Sequence, residues 1–126
     1  VAYVASPVPS ARVVFDTPAL QTFEVEVAAS APALIRGLSG RRLAEDSGLL
    51  MVFPQESTWP ICMRGMLVPI DIIFMDDRRR VVKIVHAAKP GSEKTHEARA
   101  RFVLEVSAGS ARRKGLTLGQ TARFAP

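Results

Sequence analysis

The sequence is short of the residues that most often carry chemistry. It has one cysteine, Cys62, so no internal disulfide can form and the count says nothing about redox compartment. No apolar run approaches the roughly 18 residues that a membrane-spanning helix needs. There is no GxGxxG turn, no phosphate-binding loop and no GxSxG elbow, which removes the motif case for dinucleotide, nucleotide and serine-hydrolase chemistry. His96-Glu97 lacks the second histidine of a zinc-protease helix. Aromatic residues make up 6% of the chain and are not interleaved with its charges, as stacking on single-stranded nucleic acid requires.

What is present suffices for a core. A chain of 126 residues, 48% of them hydrophobic, fits one domain that folds without disulfides or metal. The net charge of +5 is unevenly spread, −4 over residues 1–77 and +9 over residues 78–126. A basic half suits a polyanion such as nucleic acid, anionic lipid or acidic glycan. Strands from both halves interleave in a β fold, however, so solvated surface is the reading preferred here. Residues 1–14 lack a basic-then-apolar signal pattern. They do have the small-residue, proline-rich character of a stretch that follows a cleaved signal peptide. The expectation is export to the periplasm or beyond; the alternative is a cytoplasmic chain trimmed at a domain boundary.

Alternation and turn residues predict many short strands. Residues 1–10 read as a flexible lead-in, with Pro7 and Pro9 blocking regular structure, and residues 11–126 as a single β-rich domain. Strands are predicted over 11–15 and 23–28, the second with Phe23, Val25 and Val27 packed and Glu24 and Glu26 wet. Ser30 is a candidate N-cap for a short helix that holds Pro32 in its first turn and ends near Gly37 or Gly40. GLLMVF (48–53) reads as a strand buried on both faces and ended by Pro54, with a turn over Gln55 to Thr58. LVPIDIIFM (67–75) is the central strand, joined through DDRRR (76–80) to VVKIVHAA (81–88) in a hairpin. Lys89 to Ala100 reads as a surface loop. RFVLEVS (101–107) places Phe102, Leu104 and Val106 inward and Val103, Glu105 and Ser107 outward. A second short helix from about Gly109 to Lys114 precedes a last short strand. Many short strands with two short helices predict a sandwich or barrel.

The order of these blocks resembles the uncharacterised family called domain of unknown function 192, found in bacteria and archaea and often exported. The resemblance rests on FEVEVA, on the RGL of Arg36 to Leu38 followed by Arg41, and on GLLMVF. It continues through Met63 and Arg64 ahead of VPIDIIFMD, then VVKI, then FVLEVSAG with its trailing GLTLG, and spans residues 23–124. It implies one β-rich, jelly-roll-like domain and supplies no reaction, cofactor or substrate. Two departures stand out. Ser39 occupies a position where the family usually has Met. Cys62, Met63, Arg64, Gly65 and Met66 stand where it usually has Trp-Met-Lys-Asn-Thr, so that amide and hydroxyl are absent here.

Asp71 is the sharpest oddity, a carboxylate between Ile70 and Ile72 in an otherwise apolar strand. Buried, it needs cations or backbone donors, and Arg36, Arg41, Arg64 and Lys83 are the cations considered. A structural ion pair is the first reading and a general acid or base the second. Cys62, Met63 and Met66, with Met51 and Met75 as further thioethers, offer the soft ligands that suit Cu(I), although Met and free Cys are also ordinary core fillers. No cofactor is required by the sequence. The preferred function is an exported, non-enzymatic β-sandwich that binds a sugar, an anion or a protein partner around Arg36, Arg41, Arg64 and Asp71. The alternatives are an enzyme, possibly hydrolytic, that uses Asp71, and polyanion or nucleic-acid binding through residues 78–126.

Overall fold

A computed structural model of the protein describes residues 9–125. Its strands are β1 (Ser10–Asp16), β2 (Leu20–Ala28), β3 (Ser47–Thr58), β4 (Ile61–Cys62), β5 (Ile70–Met75), β6 (Val81–Ala88), β7 (Thr95–His96), β8 (Arg99–Ser107) and β9 (Ala122–Arg123). Two short helices, α1 (Ala31–Arg36) and α2 (Ser110–Arg113), complete it. Seven strands form one sheet in the order β6-β5-β8-β3-β2-β1-β9, and β4 pairs with β7 in a separate ribbon. The large sheet curls until its edges meet at one end. There Arg80 bridges Thr121, Val81 N–H donates to Gln120 O at 2.8 Å, and Ala122 N–H donates to Arg79 O at 2.9 Å. This half-barrel is mainly β with two short helices, as the strand pattern predicts in its coarser terms of a sandwich or barrel. The lead-in expected over residues 1–10 lies outside the described residues except at its end. There Pro9 O accepts from Val27 N–H at 2.7 Å, and Ser10 already belongs to β1.

The curled sheet has two cores because its central strands are covered on both faces. Period-2 alternation sends Leu50 of β3, Leu104 and Val106 of β8, and Ile73 and Met75 of β5 inside the curl. They meet Phe15 and Phe23 there, and Leu116 from the loop after α2. The alternate residues, Leu49, Met51 and Phe53 of β3, Val103 of β8, and Ile72 and Phe74 of β5, face the other way. They pack under Leu38, Ile61, Met63 and Met66. All six residues of β5 are buried, as an apolar strand with covers on both faces must be.

Local signals place the first helix. Ser30 Oγ accepts from Ala33 N–H at 3.3 Å, Pro32 sits in the first turn, and Gly37 ends the helix at φ +50°. The helix lies on the crossover between β2 and β3, which pair in parallel, while the other pairings of the large sheet are antiparallel.

Three expectations need correction. The strand expected to stop at Pro54 runs on to Thr58. Its pairing with β8 shifts between Val52 and Ser57, and such an irregularity accommodates a proline with no N–H to donate. The loop expected over Lys89 to Ala100 contains β7 and the start of β8. Val103 and Glu105, expected to point outward, are buried, because α1 and residues 59–66 cover that face.

Gly48 permits the close approach of β3 to β8. A Cβ there would lie 2.5 Å from Glu105 O and 2.9 Å from Val106 Cγ1. Backbone cannot yield as a side-chain tip can. Gly48→Ala is therefore expected to lower stability by about 2 kcal/mol, at the overpacking scale, read as a lower urea midpoint. An unchanged midpoint would contradict the packing described.

Candidate functional site

Asp71 belongs to the fold and not to a surface site. Its side chain is fully buried, and it accepts three backbone hydrogen bonds: from Ala87 N–H to Oδ1 at 2.8 Å, and from Gly109 N–H at 3.1 Å and Ala111 N–H at 2.9 Å to Oδ2. Ala87 lies at φ +50° where β6 carries an extra residue opposite β5. Gly109 and Ala111 are orphan donors at the start of α2. The carboxylate thus ties strand, bulge and helix together. The cation partners expected from Arg36, Arg41, Arg64 and Lys83 are not there: Arg41 holds Glu26 in a two-pronged pair at 2.7 Å, Arg64 pairs with Glu93 at 3.4 Å, and Lys83 Nζ donates to Glu97 O at 2.9 Å. A general acid or base must reach its substrate, and Asp71 lines none of the surface grooves described.

The expected four-residue site therefore does not assemble. Arg36 and Arg64 share one groove. Arg41 lies on the other side of Arg36, next to Glu26, where its guanidinium holds the Glu26 carboxyl below the usual range.

That shared groove, of about 610 Å³, is the site candidate. One wall is α1 and the turn after it, from Leu34 to Ser39. The other is Trp59 to Met66, and the base is Met51 and Phe53 of β3 with Glu105 of β8. Trp59 stacks on Phe53 with centroids 4.7 Å apart and planes 12° from parallel, and its indole N–H is tied to Gln55 O at 2.9 Å. The two departures from the family pattern meet on the rim. Ser39 Oγ donates to Arg64 O at 3.2 Å and lies 3.2 Å from where a Cβ on Gly65 would stand. Gly65 has φ +79°, a conformation that glycine adopts freely and that asparagine tolerates.

Glu105 is the residue that sequence reasoning missed. It is 3% exposed, its Oε1 has no hydrogen-bond partner, and burial pushes its pKa up to about 7. Gly37 stands over it, with Oε1 3.6 Å from where a Cβ at Gly37 would be. One signal was present in the sequence. Its neighbour on the same strand face is the apolar Val103, whereas the wet face of β2 carries two acids, Glu24 and Glu26.

The sulfur residues divide. Cys62 is exposed and its Sγ accepts from Arg64 N–H at 3.4 Å; Met66 and Met51 share its groove, Met63 is fully buried, and Met75 lies in the core across the sheet. Among the described residues no three His, Cys, Asp or Glu side chains gather as a metal site. None of the helices among them is long and apolar enough to cross a membrane.

Charge is interleaved by the fold. Six ion pairs among the described residues join a cation from residues 78–126 to an acid from residues 1–77, including Arg99–Glu56, Arg113–Glu45, Lys114–Asp46 and Arg123–Asp16. At the hairpin tip Arg80 pairs with Asp76 and Arg79 lies over the Phe124 ring at 4.2 Å, so the three arginines of DDRRR do not converge.

No curated protein matches the chain. It is similar to the solved structure of a protein of unknown function from Novosphingobium aromaticivorans, with 28% identity and a TM-score of 0.85. That match covers 89% of this chain and 83% of the other. It is also similar to a Sinorhizobium meliloti protein described as a "putative transcription regulator", with 25% identity and a TM-score of 0.90, covering 96% of this chain and 98% of the other. The family pattern DUF192, described as uncharacterized ACR, matches residues 13–124, and the chain belongs to that family.

Proposed function

We propose that this protein is a non-enzymatic binding protein that takes a small ligand in the groove between α1 and residues 59–66. One observation carries the reading: the groove ends on Glu105, a buried carboxyl with an oxygen that no protein group satisfies. A polar atom withheld from both water and protein costs stability, and a ligand that supplies the missing donor recovers it. The rest of the groove suits such a guest, with a volume in the small-molecule range and walls mostly of aliphatic, aromatic and thioether side chains. A perturbed carboxyl also suits catalysis. The groove's other polar side chains, Arg36, Ser39, Cys62 and Arg64, are all exposed on its rim, and this favours binding over a reaction at Glu105.

A second reading, contact with nucleic acid through residues 78–126, draws support from the description of the Sinorhizobium protein. The interleaved ion pairs count against it, since cations already paired with acids neutralise fewer phosphates.

Cys62 offers the test, being the single thiol, exposed and on the groove. An environment-sensitive fluorophore coupled to it reports occupancy during a screen of sugars, small acids, amines, peptides and nucleotides, alongside unlabelled protein in a thermal-shift assay. A ligand at 100 times its dissociation constant adds about 2.7 kcal/mol, and the thermal shift is expected to shrink in Glu105→Leu. A fluorescence change and thermal shift undiminished in that variant would place the ligand elsewhere. A silent screen would overturn the reading.

A further inference from the structure

We propose that the ligand of this groove is a small apolar zwitterion, an amino acid or short peptide free at both ends, with its ammonium group on Glu105 and its carboxylate at Arg36 and Arg64. The inference rests on the groove-binding reading and adds the charge pattern of the guest. The groove has one acidic group at its base and two guanidinium groups at its rim, with apolar walls between them. No cation of the described residues pairs with Glu105, whose oxygen is left without a donor. An ammonium group brings three donors and the compensating charge.

The rim decides the other end. Arg36 makes no ion pair among the described residues, and the single pair of Arg64, with Glu93 at 3.4 Å, joins two exposed side chains and is weak. Both guanidiniums can therefore turn to a ligand carboxylate, which they suit in two-pronged geometry. A simple amine would enter past two like charges, and a simple acid would end against Glu105. A zwitterion meets an opposite charge at each end. A volume of about 610 Å³ is generous for a single amino acid and leaves room for the apolar side chains of a dipeptide. Trp59, its N–H already tied to Gln55 O, contributes only apolar ring surface to that contact.

The experiment is titration calorimetry at about pH 7.5, where Glu105 is mostly ionised and a peptide α-amino group, with a pKa of about 8, mostly keeps its proton, with leucyl-leucine, leucyl-phenylalanine and methionyl-leucine. Each is compared with its N-acetylated and its C-amidated form. Free dipeptides are expected to bind wild-type protein, and N-acetylation to weaken them by about tenfold or more, through loss of the ammonium–carboxylate contact. Glu105→Gln should remove that preference; C-amidation is also expected to weaken binding, and Arg36→Ala should reduce that penalty to what Arg64 alone supplies. The comparison of ligand forms uses wild-type protein and so does not depend on how any variant folds. Equal binding of free and N-acetylated forms would overturn the proposal, as would three silent dipeptides. If the labelled-Cys62 screen finds a ligand of another class while the dipeptides stay silent, the zwitterion proposal fails and the groove reading stands. If both are silent, both fail.

Discussion

Asp71→Ala is expected to lower the stability of the protein by about 3 kcal/mol or more, a fall in melting temperature of roughly 10 °C for a domain of this size. The loss comes from three backbone N–H groups that lose their acceptor, that of Ala111 buried and those of Ala87 and Gly109 half-buried. Each is a donor that regular structure does not use. Ala87 sits at a strand irregularity in the left-handed region, and the other two open a helix. Asp71→Asn separates charge from geometry. Its amide oxygen can still accept from Gly109 and Ala111, while its NH₂ would face the N–H of Ala87, so it recovers part of the loss only. Thermal melts of the two variants check this. A melting temperature unchanged in Asp71→Ala would mean that the carboxylate does not hold the β5–β6 bulge to α2.

The other large effect is the pH dependence of stability contributed by Glu105. Its carboxyl holds a proton up to about pH 7 in the folded protein, against a reference value of 4.5, because burial penalises the charged form. Between those values the folded chain binds more protons than the unfolded chain, so the stability tied to this group falls as pH rises. The contribution is fully present below pH 4.5 and is lost once pH has passed 7, a change of about 3 kcal/mol. Other groups titrate too. The carboxyls of Glu26 and Asp76 are held low by Arg41 and by the Arg78–Arg80 turn respectively, and they act in the opposite sense at acid pH. Burial and nearby lysines lower the His96 pKa. Comparison with Glu105→Leu cancels these terms. The variant is expected to gain about 3 kcal/mol on wild type between pH 4.5 and pH 8, measured by urea unfolding at each pH. A difference that stays flat across that interval would contradict the buried, unpartnered state of Glu105.

Much of the fold is legible in the sequence wherever the signal is local. The cap at Ser30, the stop at Gly37, the alternation of FEVEV and the Asp76 turn that closes the β5–β6 hairpin each involve residues within a few positions of one another. The parallel pairing of β2 with β3 was not legible, since nothing in either strand records its direction relative to a partner. Asp71 was recognisable as a buried carboxylate, but its partners were not. Side-chain cations are visible in a sequence, whereas N–H groups freed by a bulge and a helix start appear only once the chain is folded. Glu105 shows the same limit from the other side. Alternation placed it correctly on the face opposite Leu104, and only the packing of α1 and residues 59–66 turned that face from wet to buried.

The groove and its chemistry both depend on the state of one carboxyl. The direct measurement is therefore an NMR pH titration of the Glu105 side-chain carbonyl carbon, assigned by comparison with Glu105→Gln. The expected midpoint is near 7, falling towards ordinary glutamate values when an ammonium-bearing ligand fills the groove. A midpoint near 4.5 in the free protein would show that Glu105 is solvated or paired, and would contradict the site proposed here.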